Sequence, residues 1–339
     1  MRAIVYRSTG GPDVLSLETR DVPMPAPHEV LVEVHVSGVN PTDWKSRSGA
    51  TATGDSTARV PNQDGAGVIT AVGTDVSFER VGERVWIWEA AWQRADGTAQ
   101  EYVALPSAQA VALPDGASFD VGASLGIPAL TAHRALTLAG PERLGPHALD
   151  GRVVLVAGGA GAVGHAAIEL ARWAGATVIT TVSSPEKAAL AASAGAHHVV
   201  DYRAQDAVDT IRALAPDGVD LVVEVSPAAN AGLDVAVAAP GATVAFYANN
   251  GGDEVSVPVR PSMSANLSWR GIMVYTVTSE AKAHAVADVS AALAAGALRV
   301  GAEAGLPIHR YPLEETAAAH LAVEHGAVGK VLIDVVPHG

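Results

Sequence analysis

The chain has 339 residues, 49% hydrophobic and 17% charged, with a formal net charge of −14 and no cysteine. That length exceeds one typical core and implies two domains; the acidic balance disfavours nucleic acid, whose phosphates the average surface would repel; zero cysteines exclude disulfides, thiol catalysis and thiolate metal sites. No run of about 18 apolar residues is free of charges and turn breakers, so no membrane span is expected, and Met1–Arg7 leads into a strand pattern without a signal-peptide core, which favours the cytoplasm.

The first part of the chain reads as β-rich. Val30, Val32, Val34 and Val36 alternate with Leu31, Glu33, His35 and Ser37, a period of two with one strongly apolar face. Further short strands are predicted over 67–72, 84–88 and 100–104, separated by Gly, Pro and Asp, and this punctuation suggests a small barrel or sandwich-like domain. Residues 50–59 are small and polar and read as a mobile loop. Trp86 and Trp88 share a strand face, with Trp92 nearby; they either wall an aromatic-sized pocket or pack in the core.

The pattern changes near Ser118. Residues 120–139 have helical spacing, and 141–150 read as a loop. Strand and helix then alternate: strands over 153–157, 177–182, 198–200, 221–225 and 243–247, helices between them. Ser184 caps one helix with Pro185 at its first position, and Asp206 caps the next. This is the signature of a doubly wound parallel sheet. Residues 272–277 read as a last sheet strand, 280–295 and 313–325 as helices, and 330–336 as a final strand that folds back onto the N-terminal domain. An apolar, exposed strand at 272–277 would be covered by pairing with a second copy, so a homodimer is expected.

The stretch with most chemical content is V-V-L-V-A-G-G-A-G-A-V-G, residues 153–164. Gly159, Gly161 and Gly164 spell G-x-G-x-x-G between a buried apolar strand and a helix with Val163, Ala166, Ala167, Leu170 and Ala174 on one face. Such glycines let the chain turn sharply and let the backbone N–H groups of Ala160, Ala162 and Val163 approach a pyrophosphate, with the positive helix end facing it. Dinucleotide binding follows.

Ser37-Gly38-Val39-Asn40-Pro41-Thr42-Asp43, Asp64-Gly65-Ala66-Gly67-Val68, Gly82-Glu83-Arg84-Val85, Gly126-Ile127-Pro128-Ala129-Leu130-Thr131-Ala132 and the glycine turn occur in this order over nearly the whole length. In them the chain resembles medium-chain dehydrogenases/reductases, in particular their zinc-free quinone oxidoreductase, zeta-crystallin-like branch. The resemblance implies an α/β fold: a Rossmann doubly wound parallel sheet plus a GroES-like β-rich catalytic domain. The expected boundaries are 1–122 for the first part of the catalytic domain, 123–265 for the dinucleotide domain, and 266–339 for a last sheet strand and helix followed by the return. Zinc-dependent relatives place Cys where Asn40 stands and His where Gln63 stands. Neutral amides are poor replacements for thiolate and imidazole, and none of the twelve histidines forms H-x-x-x-H or H-E-x-x-H, so no catalytic zinc is expected.

An NAD-preferring fold ends its second strand with Asp or Glu to hold the ribose 2′-OH. Here that stretch is Thr180-Thr181-Val182-Ser183-Ser184. Ser183 and Ser184 can donate to a 2′-phosphate, and Lys187 adds charge one helical turn on; Glu186 is the residue that argues the other way. By the resemblance, Lys187 and Tyr202 fall where NADPH-binding relatives hold that phosphate, with Arg203 adjacent. Phe246, Tyr247 and Ala248 border the nicotinamide by the same resemblance, which also adds Lys330 to the cofactor-binding set.

Without a metal to polarise an alcohol, hydride addition to an electrophilic acceptor is the easier chemistry, and a quinone or an alkene conjugated to a carbonyl spreads the resulting charge onto oxygen. Candidate donors are Asn40, Lys45, Thr131 and Tyr247. Several quinone reductases have Tyr where Lys45 stands, and Asn40-Pro41-Thr42-Asp43-Trp44-Lys45 looks more like reductases of conjugated enones. The expected function is an NADPH-dependent, zinc-independent reductase of quinones or enones acting on a small molecule. The alternatives are an enoyl or tailoring reductase of a biosynthetic pathway and a non-catalytic NADPH-binding protein.

Overall fold

The computed structural model describes residues 1–50, 58–204 and 206–336. The loop expected at 50–59 lies mostly outside them. The chain forms two compact units, 1–127 with 308–339, and 128–307.

The first unit contains β1 (Arg2–Val5), β2 (Ser16–Thr19), β3 (Glu29–Val39), α1 (Pro41–Ser48), β4 (Asp64–Val72), β5 (Arg84–Ile87), β6 (Tyr102–Pro106) and β7 (Ala110–Ala112). Helix α2 (Phe119–Thr137) begins in this unit and continues into the second. The second unit then runs β8 (Val153–Ala157), α3 (Ala162–Trp173), β9 (Thr177–Val182), α4 (Pro185–Ser193), β10 (His198–Asp201), α5 (Ala207–Leu214), β11 (Val219–Glu224), α6 (Pro227–Val237), β12 (Ala238–Phe246), α7 (Val259–Ala265), β13 (Ser268–Gly271) and α8 (Ser279–Ala294). The chain returns to the first unit with β14 (Ile308–Pro312), α9 (Thr316–Glu324) and β15 (Lys330–Asp334).

In the first unit β14-β15-β3-β4-β5-β7 form one sheet, with β6 paired to β3 and β1 to β2. Val30, Val32, Val34 and Val36 are all fully buried, as the alternation requires, and each contributes roughly 1.5–3 kcal/mol by burial. Two glycines let the layers close: a Cβ on Gly67 would sit 1.9 Å from the Glu33 carbonyl oxygen, and one on Gly38 2.1 Å from that of Ala123 in α2. Trp86 is fully buried and Trp88 nearly so. Trp86 packs against Gly122 of α2, so of the two readings of this pair core packing holds.

In the second unit the parallel order is β10-β9-β8-β11-β12-β13, the doubly wound arrangement in which ligands bind at the carboxyl ends of the strands, at the switch between β8 and β11. Ser184 and Asp206 cap α4 and α5, each accepting from an N–H three residues on.

One predicted strand is displaced. The outer strand is β13, Ser268–Gly271, and 274–276 form a 3₁₀ turn in place of the strand expected at 272–277. Ile272, Val274 and Tyr275 are already buried. A short apolar run fits a buried turn as well as a strand. The edge itself carries Ser268, Trp269, Arg270 and Gly271, so the exposed apolar strand that suggested a homodimer is not there. The helix expected between the strands at 221–225 and 243–247 runs from Pro227 to Val237, and Ala238 already opens β12.

Candidate active site

The glycine turn follows from β8. Gly158, a residue ahead of the motif, adopts φ +72° and makes the sharp bend. Gly159 is buried, and a Cβ there would lie 2.2 Å from Thr180 Oγ1. Gly164 is also buried, and a Cβ there would lie 2.4 Å from the Gly158 carbonyl oxygen. Gly161 is exposed, and an added Cβ would meet nothing closer than 3.5 Å. Two glycines therefore serve packing, one serves conformation, and Gly161 leaves an open approach. Gly161 caps α3, and the first intrahelical bond runs from His165 N–H to its carbonyl. The amides of Ala162, Val163 and Gly164 precede any intrahelical acceptor, beside buried Ala160. This is the cradle a pyrophosphate needs.

The residues expected at a 2′-phosphate converge at the carboxyl ends of β9 and β10, which pair Val182 with Asp201. Lys187 Nζ donates to Ser183 Oγ at 3.1 Å, and Ser184 Oγ accepts from Lys187 N–H at 3.3 Å. Tyr202 is exposed, and its N–H donates to the Val182 carbonyl. Arg203, also exposed, follows it. Glu186 lies in the first turn of α4, where its own N–H and the Ser184 hydroxyl hold its carboxyl below the usual range.

At the end of β12, Phe246 pairs with Glu224 across to β11, and Tyr247 N–H donates to the Glu224 carbonyl at 3.1 Å. Ala248 is half-buried, and so is Tyr247. Burial, with the Glu224 carboxylate second, raises the Tyr247 phenol well above its ordinary value, which makes it a weak acid. Thr131 is buried on α2.

The first unit holds a buried polar cluster that sequence reasoning found only in part. Asn40 caps α1, with Asp43 Oδ2 accepting its N–H at 2.7 Å. The Asn40 side chain is held at both ends: Nδ2 donates to Asp64 Oδ2 at 2.7 Å, and Oδ1 accepts from Lys330 Nζ at 2.7 Å. Lys330 Nζ is also 3.9 Å from Asp64 Oδ2. Asn40, Asp43, Asp64 and Lys330 are at most 3% exposed. Ile127 N–H donates to both Asp64 oxygens at 2.9 and 3.0 Å, and Gly126 makes room, since a Cβ there would lie 2.0 Å from Asp64 Oδ1. Behind Asp64 a one-way chain of hydrogen bonds runs from His320 Nε2–H to Asn62 Oδ1, Asn62 Nδ2 to Ser37 Oγ, Ser37 to Thr98 Oγ1, and Thr98 to the Asp64 carbonyl. Asn40 and Lys330 are thus fixed by each other. Lys45, in α1, has its ammonium 5.9 Å from the Trp44 ring.

Asp43 and Asp64 are the members of this cluster to which the sequence reading assigns no role. The N-x-x-D capping pattern is a signal for Asp43; Asp64 opens the D-G-A-G-V stretch that carries the resemblance, which assigns it no role. Burial, then repulsion by Asp64, pushes Asp43 up to about 8; burial pushes Asp64 up to about 6 against the pull of Lys330. The sign follows from linkage. An acid whose folded pKa is raised stabilises the fold fully below its unfolded pKa and loses that contribution as pH rises through the folded value. Asp43→Asn should therefore gain thermal stability relative to the parent as pH rises from about 4, at up to about 1.4 kcal/mol per pH unit, levelling near pH 8. Melting curves of both proteins from pH 5 to 9 test this; parallel profiles would refute it.

Asn40 stands with Gln63 where zinc-dependent relatives have Cys and His. Gln63 Oε1 accepts from Ala91 N–H at 3.1 Å. Amide oxygens and an ammonium form a poor zinc donor set, and among the described residues no group of three or more His, Cys, Asp or Glu is placed to hold a metal ion.

Residues 26–115 match the alcohol dehydrogenase GroES-like domain and residues 162–300 the zinc-binding dehydrogenase family. The quinone oxidoreductase of Pongo abelii is 32% identical over 339 residues, covering 98% of this chain and 97% of its own. Among solved structures, an NAD-dependent alcohol dehydrogenase superposes with a TM-score of 0.87 at 28% identity, covering 99% of this chain and 100% of its own. Mycobacterial Rv1454c complexed with NADPH gives 0.80 at 29%, covering 98% and 99%. With these relatives matched end to end, and with a parallel sheet and glycine turn between the two halves of a GroES-like unit, the chain belongs to the medium-chain dehydrogenase/reductase superfamily and has quinone oxidoreductases as full-length relatives.

Proposed function

We propose that this oxidoreductase uses NADPH to reduce a quinone or an α,β-unsaturated carbonyl. The observation that carries the cofactor reading is the end of β9, where Ser183, Ser184 and Lys187 stand and no carboxylate closes the strand. The amides at the start of α3 would hold the pyrophosphate, and Lys187 with Tyr202 the 2′-phosphate. When bound, the reduced nicotinamide supplies a hydride. The residues of this chain bind and orient: Tyr247, Phe246 and Ala248 border the nicotinamide end, Thr131 is the donor proposed in the second unit, and Lys45 the donor proposed in the first. Asn40, locked by Lys330 and Asp64, shapes the site as a fixed group.

Lys187→Ala is expected to weaken NADPH binding by about 10- to 100-fold, the worth of one charge-assisted hydrogen bond, with NADH affinity unchanged. Fluorescence titration of both coenzymes tests this; equal loss for both would overturn the 2′-phosphate assignment. A screen of quinones, enones and aldehydes for NADPH oxidation then tests the acceptor. A second reading, preference for NADH, is favoured by Glu186, whose carboxylate can accept a ribose 2′-OH, and the same titration on the parent decides it.

We assign this chain to the cytoplasm and propose a homodimer paired through the backbone groups of the outer strand β13, in place of the apolar strand expected there. Sedimentation as a monomer at micromolar concentration would refute the pairing.

A further inference from the structure

Two buried acids at the carboxyl edge of the parallel sheet have no part in the reading above. Glu224 ends β11 and Asp234 lies on α6, and both are fully buried. The Glu224 carboxylate accepts from Ser226 N–H, and from Asn230 Nδ2 at 3.1 and 3.2 Å. Among the described residues no N–H group donates to Asp234; its polar neighbour is Glu224. Two adjacent carboxylates in such a place do not both ionise. Burial first, and Glu224 second, push Asp234 up to about 9, and burial raises Glu224 as well, so at neutral pH the pair holds a proton on Asp234.

The pair holds more than itself. Glu224 fixes Ser226 through its N–H, and Ser226 Oγ donates to the Asn250 carbonyl at 2.7 Å. Gly251, at φ +88°, approaches so closely that a Cβ there would lie 2.9 Å from Ser226 Oγ. On the other side of the same turn, Val225 Cγ1 would lie 3.3 Å from a Cβ on Gly158, in the glycine turn. The 225–226 turn is therefore wedged between the phosphate cradle and the loop that follows Tyr247.

We propose that Glu224 and Asp234 are positioning residues for the nicotinamide half of the coenzyme, acting through Ser226 on the 247–252 loop. This rests on the reading that the nicotinamide lies beside that loop. The intact enzyme and its variants are titrated with NADPH and with adenosine 2′,5′-bisphosphate, which lacks the nicotinamide half.

Glu224→Ala and Ser226→Ala are expected to weaken NADPH about tenfold and lower kcat, with the bisphosphate Kd unchanged within twofold. Glu224→Gln keeps an acceptor for Ser226 and supplies its own N–H to Asp234, so it should restore both values. Should Glu224→Ala fail to fold, Ser226→Ala decides, because it removes only the tether to Asn250. Equal weakening of both ligands, no weakening of either, or no rescue by Gln would overturn the proposal. A parent that binds the bisphosphate with NADPH-like affinity shows no nicotinamide contact to position, and both the proposal and the placement of the nicotinamide beside the 247–252 loop fall; a parent that binds NADPH far more tightly, with unaltered variants, sinks the proposal alone.

Discussion

Lys330→Met is expected to destabilise the protein by about 3–5 kcal/mol, the loss found when one partner of a buried ion pair is removed. Met fills the space of the lysine stem but returns neither the hydrogen bond to Asn40 Oδ1 nor the positive charge 3.9 Å from Asp64. Asp64 would keep its donors, Asn40 Nδ2 and Ile127 N–H, and lose its counterion. Its carboxyl, already pushed up by burial, would have to stay protonated or ionise unpaired. The companion variant makes the argument specific. Asp64→Asn in the Lys330→Met background removes the uncompensated charge and should recover most of the loss, since two neutral partners in a buried site are far cheaper than one stranded ion. Urea unfolding of the parent, both single variants and the double variant measures the coupling. Additive single effects would mean that Lys330 stabilises by packing alone.

What was legible in the sequence was what is local. The run Val153–Ala157 and the strand Thr177–Val182 stand where the sequence pattern placed them: the first is continuously apolar, as a buried parallel strand needs, and the second is β-branched at every position, Thr or Val or Ile, which favours a strand. Ser184 and Asp206 mark helix starts because a cap is a contact over three residues. The glycine turn was readable for the same reason, though Gly158, which makes the bend, lies just outside the motif. The polar cluster was not readable as a unit: Asn40 meets Asp64 across 24 positions and Lys330 across 290, and no window spans those distances. Glu224 looks like the polar end of an apolar strand until Asp234 is folded beneath it. The outer strand Ser268–Gly271 has one large apolar side chain, Trp269, and so no period to detect.

Gly164→Ala should lower NADPH affinity by about 100-fold, equivalent to roughly 2.7 kcal/mol, while the protein stays folded. The added methyl group would lie 2.4 Å from the Gly158 carbonyl oxygen and 3.0 Å from Gly159 Cα, all of it backbone that no side-chain rotation relieves. Helix α3 would have to withdraw from the turn by several tenths of an ångström, carrying the amides of residues 162–164 with it. Overpacking of this kind costs about 1–3 kcal/mol of stability, whereas the coenzyme loses the alignment of several donors at once. Gly161→Ala separates the two effects. Its backbone is at φ −85°, its nearest neighbour would be 3.5 Å away, and the residue is exposed, so stability should be unchanged. Yet its methyl group would stand in the open approach to the cradle, and NADPH affinity should fall there too. Melting temperatures and coenzyme titrations of the two variants together decide the matter. If Gly164→Ala melts lower but binds NADPH as the parent does, α3 does not hold the pyrophosphate.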